Sequence, residues 1–136
     1  MANECTPYKE EGSAVTAKAT ANVTGKTFVK ISGNRTGGGA GGLSTDLANV
    51  YQVAPAGAGE RAIGVARQDA ANGSLVGVYT GPGIIVPVTA GAAITAGQEV
   101  QSNGTGQAIP LAAGKSLGVA MTGAGSGADA EIKLAV

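Results

Sequence analysis

Between Val15 and Val23 apolar and polar side chains alternate one for one: Val15, Ala17, Ala19, Ala21 and Val23 interleave with Thr16, Lys18, Thr20 and Asn22. A period of two sends the two sets to opposite faces of an extended chain, so the segment predicts a half-buried β-strand. Short β-branched runs recur at residues 27–31, 50–53, 62–66, 75–80, 84–88, 99–102, 116–120 and 130–134. Turn-forming residues separate them: Gly25, Pro55, Asn72-Gly73, Gly81-Pro82-Gly83, Asn103-Gly104 and Gly114. Regular short strands with a turn every 8–12 or so residues predict a sandwich or barrel. No helical period longer than a turn or two occurs. The expected class is all-β, a small compact barrel or sandwich.

What fills the interior is unusual. Among 136 residues there are 24 Gly, three Tyr, one Phe (Phe28) and no Trp. Each large apolar side chain contributes roughly 1.5–3 kcal/mol when fully buried, so a core of Val, Ile, Leu and Ala gains little per residue. The many glycines raise the conformational entropy that folding must overcome. Such a chain is expected to gain stability from neighbours, by oligomerising or by docking on a larger surface.

Two segments lack the alternation. Residues 1–12 hold Glu4, Glu10 and Glu11 together with Cys5, Pro7 and Tyr8, and read as an extended N-terminal arm. Residues 34–42 (NRTGGGAGG) form a Gly-rich loop with no means of packing itself. The remainder, residues 13–136, reads as a single β-domain. Within it lies an echo: Arg61-Ala62-Ile63-Gly64-Val65-Ala66 is matched by Lys115-Ser116-Leu117-Gly118-Val119-Ala120. Each copy follows a Pro/Ala/Gly turn and runs through a Gly/Ser turn into another strand. Either two related β-units face one another, or small-residue composition has converged.

The chemistry-bearing patterns are sparse. There is no histidine, the commonest general base and metal ligand near neutral pH. The single cysteine, Cys5, has no His partner and reads as a free thiol. Thr24-Gly25-Lys26-Thr27 ends like a phosphate-binding loop, but Thr20 stands where that motif needs its first glycine, and the lysine opens a strand instead of a helix. Gly37, Gly39 and Gly42 match G-x-G-x-x-G only because the run is almost all glycine. Asp129 and Glu131, beside Lys133, share one face of a strand and are explained by a solvated edge. Ile94 to Val100 followed by Gly114-Lys115 is similar to swinging-arm carrier domains, yet Lys115 lacks the Asp or Met neighbour of a modified lysine. A β-hammerhead or barrel-sandwich geometry is compatible with it. No catalytic residue, metal site or cofactor is expected.

Charge excludes a further class. The formal net charge is zero and the basic residues are scattered, so no nucleic-acid footprint exists. No basic-then-apolar leader opens the chain and no stretch approaches the ~18 apolar residues of a membrane span. The expectation is a protein made in a cytosol, soluble there, without nucleic-acid or membrane partners.

Three pieces taken in order carry a resemblance. They are Met1 to Tyr8 (MANECTPY) with Glu11-Gly12, Pro82 to Ala90 (PGIIVPVTA) with Ile94 to Val100, and Leu117 to Ala120 with Gly127 to Leu134 (GADAEIKL). The set resembles the small capsid decoration, or cement, proteins of tailed phages across nearly the whole chain, the Gly-rich loop apart. The resemblance implies a tulip-like β-fold and a homotrimer seated over three-fold or pseudo-three-fold positions on the outer surface of the shell. There it would clamp neighbouring subunits of the major capsid protein after the shell expands. It also implies that the N-terminal arm adds to the capsid contact by strand pairing, which assigns Asn3, Glu4, Thr6, Pro7 and Tyr8 to that contact. An arm of this kind supplies main-chain hydrogen bonds to an exposed sheet edge while alternate side chains such as Tyr8 fill pockets. The competing expectation is a carbohydrate-binding or adhesive β-module on a virion or cell surface. It would depend on Tyr8, Phe28, Tyr51 and Tyr79, the aromatic residues of the chain, for stacking.

Overall fold

The computed structural model describes residues 14–35 and 50–136. Ten strands run through them: β1 Ala14–Ala19, β2 Phe28–Gly33, β3 Tyr51–Pro55, β4 Gly64–Ala66, β5 Leu75–Tyr79, β6 Ile85–Thr89, β7 Glu99–Ser102, β8 Ala108–Pro110, β9 Gly118–Thr122 and β10 Asp129–Leu134. No helix occurs among the described residues. The first five strands close a barrel in the order β1-β3-β2-β4-β5, and the last five form a sheet in the order β6-β10-β9-β7-β8. Strand β1 stops at Ala19; the alternation then continues only as a bridge from Val23 to Ala70. Strand β8, three residues ending in a proline, has no counterpart among the runs read from sequence.

The two sheets are the same unit built twice. Strand β1 pairs β5 with Ala17 opposite Val76, and β6 pairs β10 with Val88 opposite Ala130. Strand β2 places Val29 opposite Gly64 of β4 and Pro55 of β3; β7 places Val100 opposite Gly118 of β9 and Pro110 of β8. The parallel pair of Ala19 with Val53 that closes the first barrel has its counterpart in a single parallel bridge from Ala90 to Ala108. The bridge from Val23 to Ala70 is repeated from Ile94 to Ala124. Lys26, the one described non-glycine residue with positive φ (62°), stands where the second unit has Gly97 at 88°. Thus the sequence echo marks β4 and β9 of two related units.

The duplication explains the composition. An eight-stranded barrel has an interior just wide enough for side chains, and a five-stranded one is narrower still. Ala17, Ala19, Val23, Val29, Val53, Ala66, Ala70, Val76 and Val78 fill the first barrel, all small. Their counterparts Val88, Ala90, Ile94, Val100, Ala108, Ala120, Ala130 and Ile132 line the second sheet, with Ala124 packed against them. Most of the remaining large side chains that are buried lie between the units. Phe28, Ala56, Ala62 and Val65 of the first pack with Val86, Leu117 and Leu134 of the second in one continuous core. Each unit therefore has a thin core of its own, and the contact between them contributes much of the burial.

Glycine is required where β4 and β9 run closest to their neighbours. A Cβ on Gly64 would sit 2.0 Å from the Tyr79 carbonyl oxygen, and one on Gly118 would sit 2.4 Å from that of Lys133. Backbone cannot yield as a side chain does, so Gly64→Ala and Gly118→Ala should each destabilise by at least about 1–3 kcal/mol. Gly104→Ala, with nothing within 4 Å of the new methyl group, should leave stability nearly unchanged. Urea unfolding of the three variants checks this; a Gly104 variant as unstable as the other two would contradict it.

Candidate interaction surfaces

The contact between the units is head to tail. On the first unit it uses the outer face of β2, β4 and β5, where Phe28 lies opposite Val65 and Val65 opposite Tyr79. On the second unit it uses a groove formed by Val86, Ser102, Gly106, Leu117 and Leu134, all buried. The Phe28 amide donates to the Gly106 carbonyl (2.7 Å), and the Ser102 hydroxyl donates to the Ala56 carbonyl (3.2 Å). Gly59 and Gly114, which close equivalent turns, touch through their backbones. At the rim Lys26 links the units twice. Its carbonyl accepts from the Thr89 amide (2.9 Å), and its Nζ bonds Asp129 at 2.7 Å. The left-handed backbone of Lys26 is a cost that the second unit avoids with glycine.

Because the contact is not two-fold, each unit keeps the face that the other has buried. The first unit's copy of the groove is open, lined by Val15, Ile31, Tyr51, Ile63 and Thr80. Every one of these aligns with a buried residue of the second unit. Ile31 is 48% exposed, whereas its counterpart Ser102 is 0% exposed. Lys30, Glu60 and Arg61 stand beside the opening. The Lys30 ammonium pairs with Glu60 at 2.7 Å, and the Gly57 amide donates to the same carboxylate. Both contacts hold the Glu60 carboxyl below its ordinary value, the Lys30 hydrogen bond most. The second unit lacks a residue equivalent to Glu60. Gln101 stands at the position of Lys30 and itself accepts from the amides of Ala112 and Gly114.

The second unit's copy of the Phe28 face is also open. Glu99, Val119 and Lys133 lie side by side on β7, β9 and β10, where the first unit has Phe28, Val65 and Tyr79. Val119 and Met121 are among the exposed large hydrophobic side chains of the described residues, with Ile31, Leu75 and Ile85.

The sequence-derived candidates fare unevenly. Asn3, Glu4, Thr6, Pro7 and Tyr8, with Cys5, lie outside the described residues. Phe28 is fully buried and offers no stacking surface, a correction to its place among the aromatic residues expected to hold sugar. Tyr51 and Tyr79 are half-buried, with the guanidinium groups of Arg35 and Arg67 each 5.8 Å from a ring centroid. Asp129 and Glu131 do share an exposed face, but β10 lies between β6 and β9, so this is a solvated sheet face and not an edge. In the turn resembling a phosphate loop, the Gly25 amide already donates to Asp69 and the Thr27 hydroxyl to the Thr24 carbonyl. No group of three or more His, Cys, Asp or Glu able to hold a metal ion occurs among the described residues. The two open faces escaped the sequence reading because their residues come from separate strands. Position-by-position comparison of the two units is the signal that finds them.

The Lys26–Asp129 pair gives the unit contact a pH dependence. The Lys26 hydrogen bond holds the Asp129 carboxyl below its ordinary 3.8 against the opposing effect of burial, with lesser help from the Thr89 hydrogen bond and the Lys26 charge. A lowered native pKa contributes stability that is full above the ordinary value and is lost as pH falls through the native one. Both partners are exposed, so the effect is small. The melting-temperature gap between the wild type and Asp129→Asn should be constant above about pH 5 and should close on acidification through 3.8 and below. A gap that does not change with pH would show that the carboxylate charge plays no part.

Comparison with known proteins bears on both fold and family. No curated protein matches the chain. Among solved structures, the head fiber gp8.5 N base of bacteriophage phi29 superposes with a TM-score of 0.69 at 22% identity, over 90% of this chain and 92% of that one. At that identity the likeness establishes the fold. The family model described as phage cement protein matches residues 9–136, which takes in both units and leaves Asn3 to Tyr8 outside. The chain belongs to the phage cement protein family.

Proposed function

We propose that this protein binds the outer surface of a phage capsid and cements neighbouring major capsid subunits. The observation that carries this reading is the family match over both β-units. In this reading the protein is made in the host cytoplasm, acts as a homotrimer and is a structural component of the virion without enzymatic activity. Its binding needs surface complementarity repeated over a lattice, and no reacting group. The head-fiber base that shares the fold agrees with a place on the head. A thin core in each unit also suits a subunit that buries more surface on assembly than it does alone.

The N-terminal arm, with Asn3, Glu4, Thr6, Pro7 and Tyr8, is the proposed capsid-binding segment. Ordering one arm costs binding energy, and three arms on one trimer recover it through effective concentration. Capsids lacking the protein should therefore bind the full chain to saturation in co-sedimentation, at a simple ratio to the major capsid protein. A variant without residues 1–12 should keep its thermal transition and lose binding. Full binding by that variant would remove the arm from the contact, and absence of binding by the full chain would refute the cement function.

A further inference from the structure

We infer that the open groove of the first unit (Val15, Ile31, Tyr51, Ile63 and Thr80) is the docking site for the second unit of another copy of this chain, which presents Glu99, Val119 and Lys133. The contact between copies would then repeat the contact inside each copy. This inference names the surfaces of the oligomer proposed above and stands apart from capsid binding.

Three observations carry it. First, the equivalent groove of the second unit is filled, and what fills it is the Phe28 face of the first unit. The chain thus contains a worked example of one unit seated on the next. A head-to-tail contact of this type leaves one unused face of each kind at the ends, and those are the two faces found open. Second, the open faces retain apolar centres. Ile31 and Ile63 stand where Ser102 and Leu117 are buried, and Val119 stands where Val65 is buried. Third, the changes outside those centres put charges of both signs on both faces, Glu99 with Lys133 on the one that docks and Lys30 and Arg61 with Glu60 beside the groove. Glu99 replaces Phe28 on the face that docks. The contact of Gly59 with Gly114 adds a geometric point. Equivalent positions touch only near the axis that relates the units, so successive units gather about a common centre. Repeated head-to-tail contacts about such an axis close into a ring when their rotation divides a full turn, and the trimer proposed above would supply six units to it.

The test uses two full-length variants. Ile31→Asp spoils the groove, and Val119→Asp spoils the docking face; both positions are exposed, and thermal unfolding checks that each variant is folded. By analytical ultracentrifugation the wild type should have the mass of a closed oligomer and each variant that of one chain. Mixing the two leaves one intact groove and one intact docking face, so the mixture should recover a heterodimer with twice the mass of one chain and no larger species. Val119→Lys in place of Val119→Asp should give the same recovery. A monomeric wild type over a full dilution series, an oligomeric Ile31→Asp variant, or a mixture that stays monomeric would each overturn the inference. Capsid binding by the wild type in the co-sedimentation assay is read separately, so a failed docking model and a failed cement function give different results.

Discussion

The burial of Phe28 and Val65 of one β-unit in the groove of the next, with Tyr79 half-buried beside them, is the interaction on which the rest of the structure depends. A five-stranded barrel is too narrow to enclose large side chains, and the barrel and its counterpart sheet hold little beyond Val, Ala and two Ile. The Phe and most of the Leu side chains of the core therefore act between the units. The chain avoids the weakness of two thin units by making one the cover of the other. The price is asymmetry, since a head-to-tail contact must leave one groove and one docking face unfilled.

The two units have diverged where their surroundings differ. The first unit keeps Glu60 to cap the turn after β3 and to hold Lys30; the second drops that residue and lets Gln101 reach the turn amides directly. Lys26 accepts a left-handed backbone, and in return its side chain and carbonyl bind the second unit; Gly97, at the equivalent position, takes the same conformation without strain. Each difference falls at a position where one unit faces something that the other does not.

Much of this was legible in the residues. The alternation from Val15, the turn residues and the echo at Gly64-Val65-Ala66 and Gly118-Val119-Ala120 mark most strands and the repeat, because strand period and turn chemistry are local properties. Strand β8 was not legible, since Ala108-Ile109-Pro110 is too short for a period and ends in a poor strand former. The placement of Asp129 and Glu131 failed for a different reason. Strand charge marks solvent exposure, and both an edge and an open face provide it. Least legible were the groove and its counterpart, whose residues are gathered from separate strands by the closing of the barrel. Ile31 and Ser102 mean nothing side by side until the register shows that they are the same position.

Membership of the phage cement protein family gives a capsid-associated structural role, and the proposed docking would have the subunits continue outward the contact that holds each subunit together. The measurement that tests it most directly is cryo-electron microscopy of capsids saturated with the protein. The account predicts density on the outer surface in rings of alternating first and second units, with Ile31 of each copy covered by Val119 of its neighbour. Density showing isolated copies with both faces exposed, or density on the inner surface of the shell, would contradict it.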